Sequence, residues 1–360
     1  MSKKIVCLIE SLGSGGAERQ MSGLAVLLKQ QGYEVEVWTY YPHDFYLPVL
    51  QTNGVKYRYI SEAKDRLKRI FVLRAELMKF APDTVIAYLD QACVVACIAK
   101  LLGAKFNLIV SERNTTQTLS FREKLKFFFY RFADHIVPNS HTQTEFIATH
   151  FPNLKDKLHC ITNCVDTDKF CPPSTRVANS PLRILTVARI MPQKNIINYI
   201  KAIKIVVDKG YEFCVDWYGD TTDAQYYDLC LRTIKDNKLE NVFNFYKSER
   251  DIVKCYHSAD VFCLPSIYEG FPNVVCEAMS CGLPILCSNV CDNPMIVKGD
   301  INGYLFDCDT DYIAQAIERI LGSNKSDIDM MAVKSRERAM QLFGSEQFVK
   351  RYMKLINCEN

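Results

Sequence analysis

The sequence predicts an α/β protein made of two doubly wound domains, each with a parallel sheet covered by helices. Short apolar runs alternate with longer segments of helical periodicity along the chain, which is the pattern of this class. The proline-rich segment 171–181 interrupts the alternation, and the pattern then restarts. A length of 360 residues also suits two domains better than one core. We therefore expect a first domain over 1–172, a second over 173–340 and a closing helix within 341–360.

Apolar runs predict the strands, and periodic segments predict the helices between them. In the first half, strands are expected near 4–10, 34–40, 56–60, 84–88, 106–110 and 135–138, and helices near 16–30, 66–80, 92–102, 121–132 and 142–150. In the second half, strands are expected near 183–188, 213–218, 242–246, 260–264 and 284–288. The last helical segment carries Phe348, Tyr352 and Leu355 on one stripe. Ligands of doubly wound sheets bind beyond the carboxyl ends of the strands, so residues that follow a strand are the first site candidates.

The composition limits the classes of function. Hydrophobic residues make up 48% and charged residues 24% of the chain, as in an ordinary soluble protein. The formal net charge of +3 is too small to indicate nucleic-acid binding. The 16 cysteines form no C-x-x-C pair and no zinc-ligand spacing, which favours free thiols in a reducing cytoplasm. No signal-peptide pattern and no apolar stretch of ~20 residues is evident, so any membrane contact is expected to be peripheral.

A glycine-rich loop directly follows the first predicted strand and opens a helix. Its glycines are Gly13, Gly15 and Gly16, which is not the G-x-G-x-x-G spacing of a dinucleotide site. Glycines let a ligand approach the backbone closely, and the first amides of a helix can bind an anion. The loop is therefore a candidate phosphate site, with a purely structural tight turn as the alternative.

Two basic residues follow the first strand of the second domain. Arg189 comes from the strand end and Lys194 from the loop behind it. A guanidinium fork and an ammonium group suit two cations that converge on one diphosphate. Considered alone, an Arg and a Lys at this spacing usually belong to a solvated surface.

Glu269 and Glu277 stand eight positions apart after another predicted strand. Glu269 opens a Gly/Pro loop, and Glu277 lies on a helix that Asn273 could cap. A part-helical path can bring both carboxylates to one cleft, where they would accept hydrogen bonds from vicinal sugar hydroxyls. A two-carboxylate glycosidase is a competing interpretation, but it leaves Arg189 and Lys194 unexplained.

The residues around this glutamate pair resemble the EX7E region of the retaining family 4 glycosyltransferases, which have the GT-B fold. The positions that match the family are Pro265, Ser266, Glu269, Gly270, Phe271, Pro272, Glu277, Ala278, Met279, Gly282 and Pro284. The glycine-rich loop and the Arg189 segment resemble two further parts of the family, although Ala188 replaces a usual glycine and Ser280 a usual alanine. The resemblance implies two Rossmann-like domains that face a central cleft, with the closing helix packed back on the first. A closing helix packed on its own domain is the alternative.

The resemblance also implies which residues bind the donor. These are Gly15, Gly16, Arg189, Lys194, Glu269, Gly270, Phe271, Asn273 and Glu277. The two cations and the glycine amides would bind the diphosphate, Glu277 the ribose, and Glu269 with the loop amides the transferred sugar. Arg189, Lys194 and Glu269 are therefore the catalytic candidates.

The implied activity is retaining transfer of a hexose or N-acetylhexosamine from a nucleotide-sugar, with a UDP-sugar as the expected donor. The cations and amides would stabilise the leaving phosphate, so neither a metal nor a cofactor is expected. Asp307 and Asp309 match the D-x-D pattern of metal-using transferases, but a turn and a helix cap explain them better. A GT-B sugar-nucleotide 2-epimerase and a non-catalytic sugar-nucleotide-binding protein are the alternative functions.

On the acceptor side, Glu112, Arg113 and Asn114 stand where many family members have a histidine. Similar strings occur in a branch that builds bacterial surface polysaccharides, including enzymes that extend lipid-linked oligosaccharides; a charged loop closing a strand is the alternative. Arg122 and Lys126 follow on a basic, aromatic segment. This segment could lie on an anionic membrane, hold a lipid diphosphate, or pack its aromatic face into the core and solvate its charges. We expect a glycan or lipid-diphosphate-linked acceptor and a cytoplasmic enzyme at the inner face of the plasma membrane.

Overall fold

The computed structural model describes residues 2–65, 68–116, 118–176, 179–249 and 251–358. The chain forms two compact units, the first made of residues 1–164 and 345–360 and the second of 165–344. The boundary therefore falls eight residues before the predicted one. The reason is that Val165 N donates to Phe343 O (3.0 Å) and Phe170 is buried in the core of the second unit.

Six parallel strands form the sheet of the first unit. They are β1 (Lys4–Leu8), β2 (Glu34–Thr39), β3 (Lys56–Tyr59), β4 (Thr84–Tyr88), β5 (Asn107–Glu112) and β6 (His135–Pro138). The helices are α1 (Gly16–Gln30), α2 (Leu47–Thr52), α3 (Arg69–Phe80), α4 (Asp90–Leu101), α5 (Phe121–Tyr130) and α6 (His141–His150). All six predicted strands are present, whereas α2 was not predicted, and the predicted start of α3 at residue 66 lies outside the described residues.

The strand order in this sheet is β3-β2-β1-β4-β5-β6, so the chain doubles back at β1. β1 sends Val6 and Leu8 into one buried cluster and Ile5 and Cys7 into another. Both faces of the sheet are therefore covered, which explains why β1 is a continuous apolar run rather than an alternating one.

The second unit repeats this plan. Its strands are β7 (Leu182–Val187), β8 (Phe213–Tyr218), β9 (Phe243–Tyr246), β10 (Val261–Leu264), β11 (Ile285–Ser288) and β12 (Gly303–Phe306), in the order β12-β11-β10-β7-β8-β9. Its helices are α7 (Ile196–Asp208), α8 (Ala224–Asp236), α9 (Ile252–His257), α10 (Asn273–Ser280), α11 (Asn293–Ile296), α12 (Thr310–Leu321) and α13 (Lys325–Phe343). Asp309 occupies the position before α12, as predicted, although its side chain makes no capping hydrogen bond.

Strand β12 is the one strand of this sheet that the sequence did not predict. Its four residues begin with Gly303, which follows Asn302 and is typical of a turn. Gly303 has a φ of 152°, and a Cβ there would lie 1.8 Å from Ile285 O. Glycine is therefore required so that β12 can lie against β11.

The last helix, α14 (Ser345–Asn357), belongs to the first unit. The predicted stripe of Phe348, Tyr352 and Leu355 is buried there, in the cluster that contains Ile5 and Leu24. Tyr352 OH lies 2.8 Å from Tyr88 OH. Like the other helices within the described ranges, α14 is too short or too polar to cross a membrane.

The Tyr352 hydroxyl should contribute to the stability of the first unit. It is fully buried and bonds Tyr88 and the Arg113 guanidinium, so Tyr352→Phe leaves two buried polar groups with fewer partners. We expect a loss of about 1–2 kcal/mol in the free energy of unfolding, measured in urea. The control is Tyr59→Phe, an exposed tyrosine of the same unit. Equal losses for the two variants would contradict the assigned role.

Candidate active site

Two loops at the carboxyl edge of the second sheet form the candidate site. β7 leads to a 3-10 turn, Pro192–Lys194, and β10 leads to the loop that carries Glu269. Because β7 and β10 are neighbours in the sheet, the loops meet although they are far apart in sequence. Ile267 N donates to Gln193 O (2.9 Å), and Gln193 Nε2 donates to Tyr268 O (2.8 Å). These bonds fix the two loops to each other.

The centre of the site is an ion pair between Lys194 and Glu269. Lys194 Nζ lies 2.6 Å from Glu269 Oε1, and the side chains are 12% and 10% exposed. Charged side chains with so little solvent exposure need close partners, because their removal from water costs free energy. The sequence predicted that these residues bind the donor diphosphate and sugar, and the structure brings the two side chains together. A ligand placed there would meet an ammonium group and a carboxylate side by side.

The backbone amides that follow Glu269 in the loop differ in whether they can donate a hydrogen bond to a ligand. Among the described residues, the amides of Gly270 and Phe271 donate no hydrogen bond, so both remain available to a ligand oxygen. The Asn273 amide donates to Phe271 O (3.0 Å), and its contact with the sugar stays a prediction. Asn273 is also the first residue of α10 rather than its cap, a position that Pro272 takes.

Glu277 lies within α10 and is 3% exposed. Its Oε2 accepts a hydrogen bond from Tyr256 OH (3.0 Å), a fully buried residue of α9. This bond orients the carboxylate, so Tyr256 is part of the site. Sequence reasoning missed it because a tyrosine in a short amphipathic helix has no distinguishing pattern.

Arg189 stands apart from the ion pair. It is exposed, and in the part of the chain that the structure describes its side chain forms no hydrogen bond or ion pair. Its backbone is fixed, since Ala188 N donates to Tyr218 O (3.0 Å) and Ile190 N to Asp220 O (2.9 Å). The guanidinium is therefore carried by a rigid strand end and is free to reach a ligand.

The predicted phosphate loop of the first unit follows β1, with Gly15 and Gly16 exposed at the start of α1. A Cβ on Gly15 would lie 2.3 Å from Glu18 Oε2, so this side chain occupies the space beside the glycine. The first amides of α1 thus stand next to a carboxylate, which the sequence reasoning did not include. The contact of Gly15 and Gly16 with the donor diphosphate stays a prediction.

Glu112 and Lys126, predicted to lie on the acceptor side, form a buried charge cluster. Lys126 Nζ contacts Glu123 Oε2 (2.7 Å), Glu112 Oε2 (2.9 Å) and Asp90 Oδ1 (3.5 Å). The Lys126 side chain is 5% exposed, so it is not part of the solvated basic face of α5, and its acceptor-side role stays a prediction. Burial raises the pKa of Glu112 to about 7 although Lys126 opposes it. The pKa of Lys126 is raised as well, because nearby carboxylates outweigh its own burial.

The Arg113 side chain is buried and bonded within the first unit. Its guanidinium donates to Asn163 Oδ1 (2.6 Å) and Tyr352 OH (3.2 Å) and stacks over the Tyr88 ring at 4.0 Å. Direct acceptor contact by Arg113 stays a prediction, and it would require this bonded guanidinium to exchange partners. Of the five acceptor-side candidates, Asn114 and Arg122 are the exposed ones.

Two family models match adjacent parts of the chain. Residues 14–169 match "Glycosyltransferase Family 4", and residues 170–338 match "Glycosyl transferases group 1". The chain is 27% identical over 315 residues to the amylovoran biosynthesis glycosyltransferase AmsD of Erwinia amylovora, covering 84% of this chain and 86% of that protein.

A second relative comes from Campylobacter jejuni and is named "GalNAc-alpha-(1->4)-GalNAc-alpha-(1->3)-diNAcBac-PP-undecaprenol alpha-1,4-N-acetyl-D-galactosaminyltransferase". It is 25% identical over an alignment of 368 positions that covers 98% of this chain and 98% of that protein. Among solved structures, Anabaena HepE in complex with UDP and glucose matches with a TM-score of 0.85 at 18% identity, covering 99% of this chain and 100% of that one.

The fold and these matches define the class of protein as a glycosyltransferase with the two-domain, Rossmann-like GT-B fold. More particularly, the chain belongs to the family 4 type of glycosyltransferase. The predicted class is thereby confirmed, and the 2-epimerase and non-catalytic alternatives are disfavoured.

The buried Glu112 carboxyl should make stability depend on pH. Its pKa is raised from 4.5 to about 7, so the folded chain binds this proton more tightly than the unfolded chain. The resulting stabilisation is full below pH 4.5 and is lost as pH rises through about 7. Relative to Glu112→Gln, the wild type should lose up to about 3 kcal/mol of unfolding free energy over this range, measured in urea.

The control for this pH series is Glu145→Gln, an exposed glutamate of α6 in the same unit. Its stability should follow that of the wild type at every pH. Parallel curves for wild type and Glu112→Gln would show that Glu112 has an ordinary carboxyl pKa.

Proposed function

We propose that this chain is a retaining, metal-independent glycosyltransferase that moves a hexose or N-acetylhexosamine from a UDP-sugar to a lipid-diphosphate-linked glycan. The observation that carries the proposal is the Lys194–Glu269 ion pair at the carboxyl edge of the second sheet. The pair lies at the edge of a doubly wound sheet where ligands bind. Its carboxylate suits the sugar hydroxyls, and its ammonium group suits the diphosphate.

In the proposed complex, Glu269 accepts hydrogen bonds from hydroxyls of the transferred sugar. The free amides of Gly270 and Phe271 donate to the same sugar or to its phosphate. Glu277, held by Tyr256, accepts from the ribose hydroxyls. Lys194 then turns its ammonium group toward the diphosphate, where Arg189 joins it from its exposed position.

The reaction forms one bond and breaks one at the anomeric carbon. The acceptor oxygen bonds to that carbon while the bond to the β-phosphate oxygen breaks, and the leaving phosphate takes the proton of the acceptor hydroxyl. Negative charge grows on the phosphate, so Lys194 and Arg189 stabilise the transition state more than the ground state. The α linkage in the name of the Campylobacter relative supports retention, since the common UDP-hexoses are α-linked donors.

Donor and acceptor class are supported by the similar proteins. UDP is bound in the HepE structure, and the Campylobacter relative is named for an undecaprenol-diphosphate-linked acceptor. AmsD is named for the biosynthesis of amylovoran. We place the reaction of this chain at the cytoplasmic face of the plasma membrane, in the synthesis of a surface polysaccharide.

Removal of Glu277 and of Arg189 should affect different steps. Glu277→Ala should raise the donor Kd about 10–100-fold, because a charge-assisted contact to the ribose is lost. Arg189→Ala should lower kcat about 100-fold with little change in KM, because its contact strengthens as the phosphate leaves. Donor titration and initial rates with a prenyl-diphosphate-linked acceptor measure the two effects.

The matched controls are Glu240→Ala and Arg232→Ala, exposed residues of the same unit that lie away from the site. Both should have wild-type kinetics. Glu277→Gln separates donor binding from folding, because it preserves the side-chain volume in α10. Unchanged kinetics in both site variants would overturn the assignment of the site.

Metal removal should leave the activity intact. If Lys194 and Arg189 neutralise the leaving diphosphate, excess EDTA should not change the rate by more than about twofold. The same reaction should give an α-linked product from an α-linked UDP-sugar, as read from the anomeric proton coupling by NMR. A rate that falls with EDTA and returns with Mg²⁺ or Mn²⁺ would refute metal independence, and a β-linked product would refute retention.

A further inference from the structure

The segment that follows β12 contacts both loops of the candidate donor site. It spans residues 307–309 and leads from β12 into α12. β12 is separated from β10 by β11 alone, and parallel strands send the segments after them to one edge of the sheet. The sequence drew attention to the two aspartates of this segment, whereas the structure bonds the residue between them, Cys308, to both loops.

The carbonyl of Cys308 is bonded to the loop that carries Lys194. Asn195 Nδ2 donates to Cys308 O (2.7 Å), and Asn198 Nδ2 lies 3.5 Å from the same oxygen. Asn195 directly follows Lys194, is 6% exposed and has a φ of 58°. Because asparagine enters this left-handed region more readily than most residues, it can turn the chain from the 3-10 turn into α7. The bond to Cys308 O then fixes that turn to the segment after β12.

The thiol of Cys308 is bonded to the loop that carries Glu269. Cys308 Sγ donates to Ser266 O (3.6 Å), three residues before Glu269. The same carbonyl accepts a hydrogen bond from Ser288 Oγ, and both serines are fully buried. Burial raises the pKa of the Cys308 thiol, so the group stays protonated at neutral pH and remains a donor. Cys308 therefore joins the two loops by a route separate from the bonds of Gln193.

Lys194 thus lies between two bonded neighbours. Gln193 before it is bonded to the loop of Glu269. Asn195 after it is bonded to Cys308. A lysine side chain is flexible, so the backbone position decides where its ammonium group can reach. A displacement of about 1 Å at a group that stabilises a transition state can lower a rate about 100-fold. Bonds on both sides of Lys194 are therefore expected to affect the reaction rate more than donor binding.

We propose that Asn195 and Cys308 are positioning residues of the transfer reaction, which act through the backbone of Lys194. The bond from Asn195 Nδ2 to Cys308 O holds the end of the 3-10 turn, and the Cys308 thiol holds this anchor to the Glu269 loop. The ammonium group is then presented at one place beside Glu269, ready for the leaving phosphate. The inference rests on the proposed function for the role of Lys194 and adds two residues that had no role in it.

Asn195→Gly, made in the full chain, tests the first bond. Glycine removes the side chain, adopts the left-handed backbone freely and is tolerated at the start of a helix. We expect kcat about tenfold lower and the donor KM within about twofold, because the contact of Lys194 strengthens as the phosphate leaves. The rate is that of UDP release to water from the UDP-sugar that most raises the thermal unfolding midpoint, so it does not depend on the acceptor.

The matched control is Asn237→Gly. Asn237 Nδ2 donates to Thr233 O at the same distance of 2.7 Å, at the end of α8 and away from the carboxyl edge of the sheet. This variant should lose a similar side-chain bond and similar stability, with kcat within about twofold of the wild type. An equal fall in kcat for the two variants would show that Asn195 acts through overall stability and would overturn the proposal.

Cys308→Ala tests the second bond. It removes the thiol and leaves the carbonyl that Asn195 contacts. A thiol is a weak donor, so we expect kcat only about threefold lower, again with little change in the donor KM. The control is Cys214→Ala, a half-buried cysteine near the start of β8, which should leave kcat unchanged. Equal rates for these two variants would overturn the bridge between the loops.

A double variant separates positioning from a structural role. Lys194→Met should lower kcat about 100-fold, and Asn195→Gly added to it should lower kcat by less than about twofold more, because no ammonium group is left to place. A further loss as large as in the wild-type background would show that Asn195 acts independently of Lys194 and would overturn the inference alone. Wild-type rates for Lys194→Met would instead overturn the proposed donor site, and the inference with it.

Discussion

The contact between Lys194 and Glu269 depends on one topological constraint, the adjacency of β7 and β10. The two residues are 75 positions apart, and they meet because parallel strands deliver their following loops to the same edge of the sheet. The bonds between Gln193 and the chain at residues 267–268 then fix the loops to each other. Removal of Glu269 would leave the Lys194 ammonium group, which is 12% exposed, without its ion-pair partner, so the pair stabilises the local structure as well as the proposed ligand.

The chain contains a second lysine–glutamate cluster, and the contrast shows which arrangement can serve a ligand. Lys126 is shared by three carboxylates, and the Glu112 side chain is 0% exposed. Burial raises the pKa of Glu112, and Asp90 adds to the effect. Burial acts in the opposite direction on Lys126, but the surrounding carboxylates outweigh it and raise the pKa of that group as well. The side chains of Lys194 and Glu269 keep 12% and 10% exposure at the edge of the second sheet. A ligand can therefore reach this pair, whereas the Glu112 cluster is closed to solvent.

Much of the fold was predictable because both sheets are buried on both faces and their strands are continuous apolar runs. β12 was missed since a short strand that starts at Gly303 has the composition of a turn. For the site, Lys194 and Glu269 were found because they follow predicted strands and because the residues around them resemble family 4 glycosyltransferases. The directions of Arg113 and Lys126 were not, because they depend on Tyr352 and Asp90, which are distant in sequence. Periodicity predicts which face of a helix or strand a residue lies on, but it does not predict which residues pack against that face.

The use of Arg113 has a consequence for acceptor recognition. In the position where many family 4 enzymes have a histidine, this chain has a guanidinium that holds Asn163 and Tyr352. Of the five acceptor-side candidates, Asn114 and Arg122 have the exposed side chains. Under the proposed function, these two side chains are therefore expected to contact the acceptor before the Arg113 guanidinium does, because a buried and already bonded group would have to give up partners to reach a ligand.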